Sequence, residues 1–378
     1  MKICMVLEFF IPHYNGGGEH RFYEITKRLV ERGHEVDLLT MKIAGNTELE
    51  NIDGIQVHHI GPKIKKIPYR TKTDFIKYFF SVCKWILTHD YDIIDAQAYS
   101  PLLSSYLASK LKKTPIIGTI YDTSTNNNDQ WLQSPTIANR MEKILLNLHF
   151  NKVITISQST MNSLINDFEV NDKKMELLYC GVDIQKYDNV TTDTLHKNQI
   201  IFVGRLAPHK HVDHYIQVIN EIKPLFPNLK FLIVGKGSEK ERLVSMINEL
   251  NLNDCITFKQ DLSDEELITE IKQSEILVLP STREGFGMVL AEANCCNKPV
   301  ITYASGGTVD VVKDGYNGYL IEAGNLQELK EKTITLLENE TLREQIGNNG
   351  RKRVEELFDW ETITDDYIKI LENTVNEK

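Results

Sequence analysis

Short runs rich in Val, Ile and Leu recur along the whole chain, each separated from the next by a helix-length amphipathic stretch. In the first half they are Lys2–Glu8, Glu35–Met41, Asp92–Ala96, Pro115–Tyr121 and Lys152–Ile156; in the second, Gln199–Gly204, Lys230–Gly235, Cys255–Lys259, Glu275–Pro280 and Pro299–Tyr303. Strands that are apolar throughout are buried on both faces, which means parallel sheets covered by helices. The polar stretch Asp183–Asn198 interrupts the rhythm near the middle and reads as a linker, and 378 residues exceed what one core usually supports. The expected fold class is therefore α/β, with doubly wound domains at 1–183 and from 184 onward. Open parallel sheets bind ligands beyond the carboxyl ends of their strands, so two such domains facing each other would hold a ligand in the cleft between them.

Composition removes several function classes. Residues 1–183 carry 21 Lys/Arg and 21 Asp/Glu, so the entire net charge of −10 falls in the second half. Such an acidic surface argues against a nucleic-acid partner, which needs clustered cations. No stretch approaches the ~20 apolar residues of a membrane span. Met1 leads straight into a strand-like segment rather than a cleavable signal, which makes a cytoplasmic protein the expectation. Six cysteines without C-x-x-C spacing point to reduced thiols and to no zinc knuckle.

The segment from Glu284 to Glu292, EGFGMVLAE, follows the strand-like run Glu275–Pro280 and opens a helix at Met288. A strand that ends in a glycine-containing turn and feeds a helix presents free backbone N–H groups and the positive end of a helix dipole, a setting for a phosphate. The two carboxylates cannot hold a phosphate themselves. They can accept hydrogen bonds from neutral hydroxyls on either side of one, as a sugar and a ribose joined by a diphosphate would provide.

Other motifs sit at similar junctions. Asn15-Gly16-Gly17-Gly18-Glu19 opens a helix running to about Arg32 and closing at Gly33, but its spacing is not the G-x-G-x-x-G of a dinucleotide site. Gly204-Arg205 ends a strand and Lys210 follows five residues later, so a guanidinium fork and an ammonium can converge on one diphosphate. Ser305-Gly306-Gly307 is a second candidate anion or sugar contact. His209, His211 and His214 suggest a metal only weakly, because no carboxylate or thiol spacing supports them. Asn297 stands where the helix from Met288 should stop in a left-handed conformation.

Taken in order, Gly204-Arg205…Lys210, Glu284-x7-Glu292 and Gly306-Gly307 resemble the retaining nucleotide-sugar glycosyltransferases of family 4, which have two Rossmann-like domains in the GT-B fold. Supporting pieces are Asn15–Glu19, Arg32–Val36, Gly181–Asp183, Val234–Gly237 and Trp360. The resemblance implies a donor domain at 184–358 and a last helix, 359–378, that crosses back to the first domain. It implies that Arg205 and Lys210 grip the donor diphosphate, that Glu284 binds sugar hydroxyls and that Glu292 binds the ribose. Further donor contacts are expected at Gly17, Gly18, Gly204, Gly285, Phe286, Gly287, Met288 and Val289. The histidine that many relatives carry in the acceptor domain is replaced by Ile120-Tyr121-Asp122, which makes Tyr121 and Asp122, with Glu19, the candidate acceptor contacts.

The expected activity is metal-independent hexosyl transfer, with retention, from a nucleoside diphosphate sugar, a UDP-sugar first of all, to a glycan, lipid-linked or small-molecule acceptor. No cofactor and no metal are expected. Rival readings are an inactive nucleotide-sugar-binding or scaffold subunit of a glycan assembly complex and a GT-B-like sugar-nucleotide epimerase. A basic run, Lys63–Lys72, precedes the aromatic-rich Phe75–Phe80 and Trp85–Leu87, so a peripheral contact with anionic lipid on the inner membrane face is a further expectation. Against it, Phe75, Phe79, Val82 and Ile86 recur at the spacing of a helix packed on its own sheet.

Overall fold

The computed structural model describes every residue except 15, 44, 46, 66, 68, 98, 124–134 and 378, and the side chains of 135–139 are also outside the description. Asn15, Lys66 and most of the loop 122–140 thus lie outside the described residues. Met1–Tyr179 with Trp360–Lys378 forms one unit, and Cys180–Asp359 forms the other.

In the first unit the chain runs β1 (Lys2–Val6), α1 (Gly17–Glu31), β2 (Glu35–Ile43), β3 (Leu49–Ile52), β4 (Ile55–Ile64), α2 (Lys72–Thr88) and β5 (Ile93–Gln97). It continues through α3 (Tyr99–Lys112), β6 (Ile116–Ile120), α4 (Pro135–Leu146), β7 (Lys152–Thr155), α5 (Gln158–Asn166) and β8 (Met175–Leu177). The strands order as β3-β4-β2-β1-β5-β6-β7-β8. The central strands β5 and β6 are buried at every position, as expected of mainly apolar strands covered on both faces.

The edge departs from the all-parallel expectation. β3 pairs antiparallel with β4, with Glu50 opposite Val57. In β4 buried residues alternate with half-buried ones at Ile55–Ile60, the period-2 pattern of a strand with one solvated face. That is why neither strand shows up as an apolar run.

The second unit contains α6 (Ile184–Asn189), β9 (Gln199–Val203), α7 (Val212–Ile222), β10 (Lys230–Val234), α8 (Lys240–Glu249), β11 (Ile256–Lys259), α9 (Asp264–Gln273) and β12 (Ile276–Leu279). Then follow α10 (Met288–Cys295), β13 (Val300–Tyr303), α11 (Thr308–Val311), β14 (Gly318–Ile321), α12 (Leu326–Glu338) and α13 (Glu340–Leu357). Its sheet is parallel in the order β11-β10-β9-β12-β13-β14, the doubly wound arrangement of a Rossmann domain. α7 buries Val212, Tyr215, Ile216, Ile219 and Ile222, one helical face. Each large apolar side chain so buried contributes roughly 1.5–3 kcal/mol.

The polar stretch Asp183–Asn198 is not a free linker. The Asp183 carboxylate caps α6 by accepting from the Lys186 N–H at 3.0 Å, and Tyr187 is buried. Lys186 pairs with Asp264 at 2.6 Å and Asp188 with Arg351 at 2.6 Å, which ties α6 to its own unit. A single buried aromatic and polar anchoring left too little apolar signal to mark it.

The last helix, α14 (Trp360–Asn376), belongs to the first unit. It buries Trp360, Ile363, Tyr367 and Leu371. Glu361 meets Arg28 at 2.6 Å and Arg32 at 2.8 Å, and the Tyr367 hydroxyl donates to Asp95 at 2.5 Å.

Candidate active site

In a doubly wound sheet the ligand crevice opens where the strand order reverses, here between β9 and β12 in the second unit and between β1 and β5 in the first. Arg205, Lys210 and Glu284 fall beyond the carboxyl ends of β9 and β12, Gly17, Gly18 and Glu19 follow β1, and Tyr121 and Asp122 follow β6, while Glu292 lies within α10.

After β9, Gly204-Arg205 leads to a short 3-10 turn at Pro208–Lys210, and the left-handed His211 (φ 44°) releases the chain into α7. Arg205 is exposed. After β12, the loop from Pro280 to Gly287 carries Glu284. The two loops are laced together: the Thr282 N–H donates to the His209 carbonyl at 2.9 Å, and the Ser281 hydroxyl donates to the same carbonyl at 3.3 Å. Lys210 Nζ and Glu284 Oε1 then form an ion pair, with 14% and 13% of the two side chains exposed. A lysine ammonium has three donors, so the pair leaves capacity for a phosphate oxygen. Burial, aided by the charge of Lys210, pushes His209 below its ordinary value.

Gly287, at φ 91°, makes the turn into α10 that a side chain would resist, and no side chain caps the helix. The N–H groups of Met288 and Val289 at the start of α10 therefore keep the character of an anion site. Both residues are half-buried. Phe286 is buried against Phe358, with ring centroids 5.4 Å apart, so its side chain anchors the loop rather than touching a ligand. Glu292 is half-buried in the body of α10.

Gly306 and Gly307 do not form the second ligand contact read from the sequence. The Gly307 N–H donates to the Glu284 carbonyl at 2.8 Å, and a Cβ there would overlap the Gly285 carbonyl and lie 2.6 Å from Phe286 Cα. The pair is the bed on which the Glu284–Phe286 turn rests. The histidine segment also differs from expectation, because Asp213 does come together with His211 and His214. Their polar atoms are engaged, however: His214 Nδ1 with the Tyr303 hydroxyl at 2.8 Å, His211 Nε2 with Thr282 at 3.1 Å and Asp213 with Arg242 at 3.2 Å.

In the first unit a pocket of about 170 Å³ opens at the β1/β5 reversal, where Glu8, Tyr14, Gly18, Glu19, Gln97 and Tyr121 contribute to its walls. Gly17 and Gly18 open α1, and a Cβ on Gly18 would lie 3.2 Å from the Tyr121 ring. The Tyr121 hydroxyl donates to Gln97 Oε1. Gln97 in turn donates to the buried Asp95 at 3.1 Å, and Thr119 donates to Asp95 at 2.8 Å. The buried Arg21 guanidinium lies 5.9 Å from the Tyr121 ring centroid. Tyr121 is thus held rigidly at the pocket. Asp122 is turned to another task, its carboxylate accepting from the Thr123 N–H at 2.8 Å and its carbonyl from the Tyr99 hydroxyl at 2.7 Å.

Sequence reasoning passed over Glu8, Arg70 and Asp95. Glu8 pairs with Arg70, whose guanidinium also stacks over Phe75 at 4.7 Å. Burial pushes the Glu8 carboxyl up, against the pull of Arg70 and Ser100. The signals were present as single charges in apolar runs, Glu8 closing the first and Asp95 interrupting Ile93–Ala96.

Comparison with known proteins agrees with this layout. Residues 15–186 match the model described as Glycosyltransferase Family 4, and residues 183–353 match Glycosyl transferases group 1. An uncharacterised glycosyltransferase of Methanocaldococcus jannaschii is 28% identical, over 100% of this chain and 99% of its own. Among solved structures, sucrose-phosphate synthase from Thermosynechococcus elongatus superposes with a TM-score of 0.86 at 20% identity, covering 100% of both chains. Anabaena HepE, solved in complex with UDP-glucose, gives 0.79 at 20% identity over 99% of this chain and 100% of that one. With the two family models together spanning residues 15–353, the chain belongs to the family 4 glycosyltransferases, enzymes of the two-domain GT-B fold that use nucleotide sugars.

Proposed function

We propose that this enzyme moves a hexosyl unit from a UDP-sugar to a hydroxyl of a glycan, lipid-linked or small-molecule acceptor, with retention at the anomeric carbon and without a catalytic metal. The observation that carries this reading is the side-by-side placement of Lys210 and Glu284 at the strand-order reversal, next to the uncapped start of α10. One group suits a phosphate and the other a sugar hydroxyl, the two ends of a donor. The choice of UDP draws on HepE, whose structure contains UDP-glucose.

In this account Arg205, Lys210 and the α10 N–H groups take up the charge that develops on the departing diphosphate. Glu284 orients the sugar and Glu292 the ribose, and Gly17, Gly18 and Gly204 allow close approach of the backbone. The bond from the anomeric carbon to the phosphate oxygen breaks as the acceptor oxygen bonds on the same face. The acceptor proton passes to the phosphate oxygen that leaves, so no protein nucleophile is required. Glu8, Glu19 and Tyr121 on the first unit offer the polar contacts for the acceptor. The protein works at the cytoplasmic membrane face, where the exposed Ile76 and Phe80 of α2, together with the exposed Lys63 and Lys65, rest on anionic lipid.

Proton NMR of the product formed from an α-configured UDP-sugar tests the reading. An α-linked product at a rate that persists in EDTA supports it; a β-linked product, or activity lost in EDTA and restored by manganese, contradicts it.

A further inference from the structure

Away from the donor loops, one group of side chains in the first unit has the composition and spacing of a metal centre. His13, Glu50 and His59 bring one ligand atom each to within 4.8 Å of the others. His13 Nε2 lies 2.9 Å and His59 Nε2 3.0 Å from the same oxygen, Oε2 of Glu50. Three different stretches of chain supply them: the loop between β1 and α1, the antiparallel edge strand β3, and β4.

The sheet explains the convergence. His59 stands opposite Thr40 in the β2–β4 register, and Glu50 stands opposite Val57 in the β3–β4 register. Side chains two residues apart on a strand share a face, so Val57, His59, Thr40 and Glu50 lie on one side of the sheet. His13 descends onto that side from the loop above it.

We propose that His13, Glu50 and His59 bind a divalent transition-metal ion, Zn²⁺ or a metal of similar coordination, which pins the β1–α1 loop to the sheet edge. Two imidazoles and one carboxylate form a three-ligand set with a fourth position for water. Bonds of about 2.0–2.1 Å to a tetrahedral ion put ligand atoms about 3.3 Å apart, so the two separations need to open by only a few tenths of an ångström. The second nitrogen of His59 is already engaged, Nδ1 lying 2.9 Å from the hydroxyl of the buried Thr40. That partner can accept an Nδ1 proton and leave Nε2 bare for the ion, the outer-shell arrangement that orients metal-bound histidines. His59 is buried, while His13 and Glu50 keep 23% and 30% of their side chains exposed, which leaves the ion a way in. The loop so fixed carries Tyr14, part of the pocket wall, immediately after His13.

The test uses the full-length protein stripped with a chelator and titrated with Co²⁺, read by visible absorption, and with Zn²⁺ in competition with a chromophoric chelator. His211→Gln serves as the background, to silence the cluster in the other unit. The expected result is one ion bound with micromolar affinity or better, a tetrahedral Co²⁺ spectrum, and a rise in melting temperature on adding Zn²⁺. In His13→Gln and in Glu50→Gln, both partly exposed positions that leave the buried His59 in place, affinity should fall by more than the ~10–100-fold seen for outer-shell changes. Binding absent in the His211→Gln background, or equal in the His13→Gln and Glu50→Gln variants, overturns the proposal.

Discussion

Lys210 and Glu284 form an ion pair that bridges the loop after β9 and the loop after β12. If Lys210 holds phosphate and Glu284 holds sugar, the two should separate in binding experiments with UDP alone. Lys210→Ala should weaken UDP binding by about 10–100-fold, the loss of one charge-assisted hydrogen bond of roughly 1.5–3 kcal/mol. Glu284→Gln, which leaves the ammonium free to turn to the phosphates, should bind UDP as well as the wild type or better. Isothermal titration calorimetry separates these outcomes, and equal weakening in both variants would refute the division of roles.

Gly307→Ala isolates the bed beneath the Glu284 loop. Gly307 has an ordinary φ of −74°, so alanine brings no backbone strain, only the overlap of its Cβ with Gly285 and Phe286. Overpacking of this kind costs about 1–3 kcal/mol. A lowered urea midpoint and weaker UDP binding are expected; an unchanged midpoint would show that the turn yields without cost.

The buried Asp95 gives stability a pH signature. Burial raises its pKa above the ordinary 3.8, partly offset by hydrogen bonds from Tyr367, Thr119 and Gln97 and by the charge of Arg21. Above 3.8 the unfolded chain has released this proton while the folded chain still holds it, so stability from this group falls as pH rises through the folded value. Compared with Asp95→Asn, the wild type should lose stability as pH rises from the ordinary 3.8 through the raised folded value. Parallel urea-denaturation curves for the two proteins across that range would contradict the assignment.

Membrane docking has a defined surface to test. Ile76 is 56% and Phe80 63% exposed on α2, and Leu107 and Leu111 are exposed on the neighbouring α3. Arg70 is engaged with Glu8 and is not part of that surface. Flotation with anionic vesicles at low salt should carry the protein upward, neutral vesicles should not, and Phe80→Glu with Lys63→Glu should reduce it. Failure to float with either vesicle would reject the idea.

The central parallel strands of both sheets were legible because they are mainly apolar, and α1 and α10 because glycines mark their starts. Boundaries agree to within a residue or two. β3 and β4 escaped because an edge strand alternates rather than runs, and α6 because one buried tyrosine and a few ion pairs hold it. At the site, Arg205, Lys210 and Glu284 stand out by their position after strands. The part played by Gly307 was hidden, since a glycine that cushions a loop and one that admits a ligand look the same in sequence. Glu8 and the His13–Glu50–His59 group were hidden for another reason: their partners lie up to 62 residues away, Glu8 with Arg70, and no local spacing announces them.

The central claim is that Arg205 and Glu284 act on a nucleotide-sugar donor. Its most direct test is the release of nucleoside diphosphate from a panel of UDP-, GDP- and ADP-sugars by wild type, Arg205→Ala and Glu284→Gln, with circular dichroism to verify folding. The account predicts turnover of a UDP-sugar by the wild type and a drop of at least about 100-fold in each variant, corresponding to loss of ~3–4 kcal/mol of transition-state stabilisation. Wild-type rates in both folded variants, or no diphosphate released from any sugar in the panel, would contradict it.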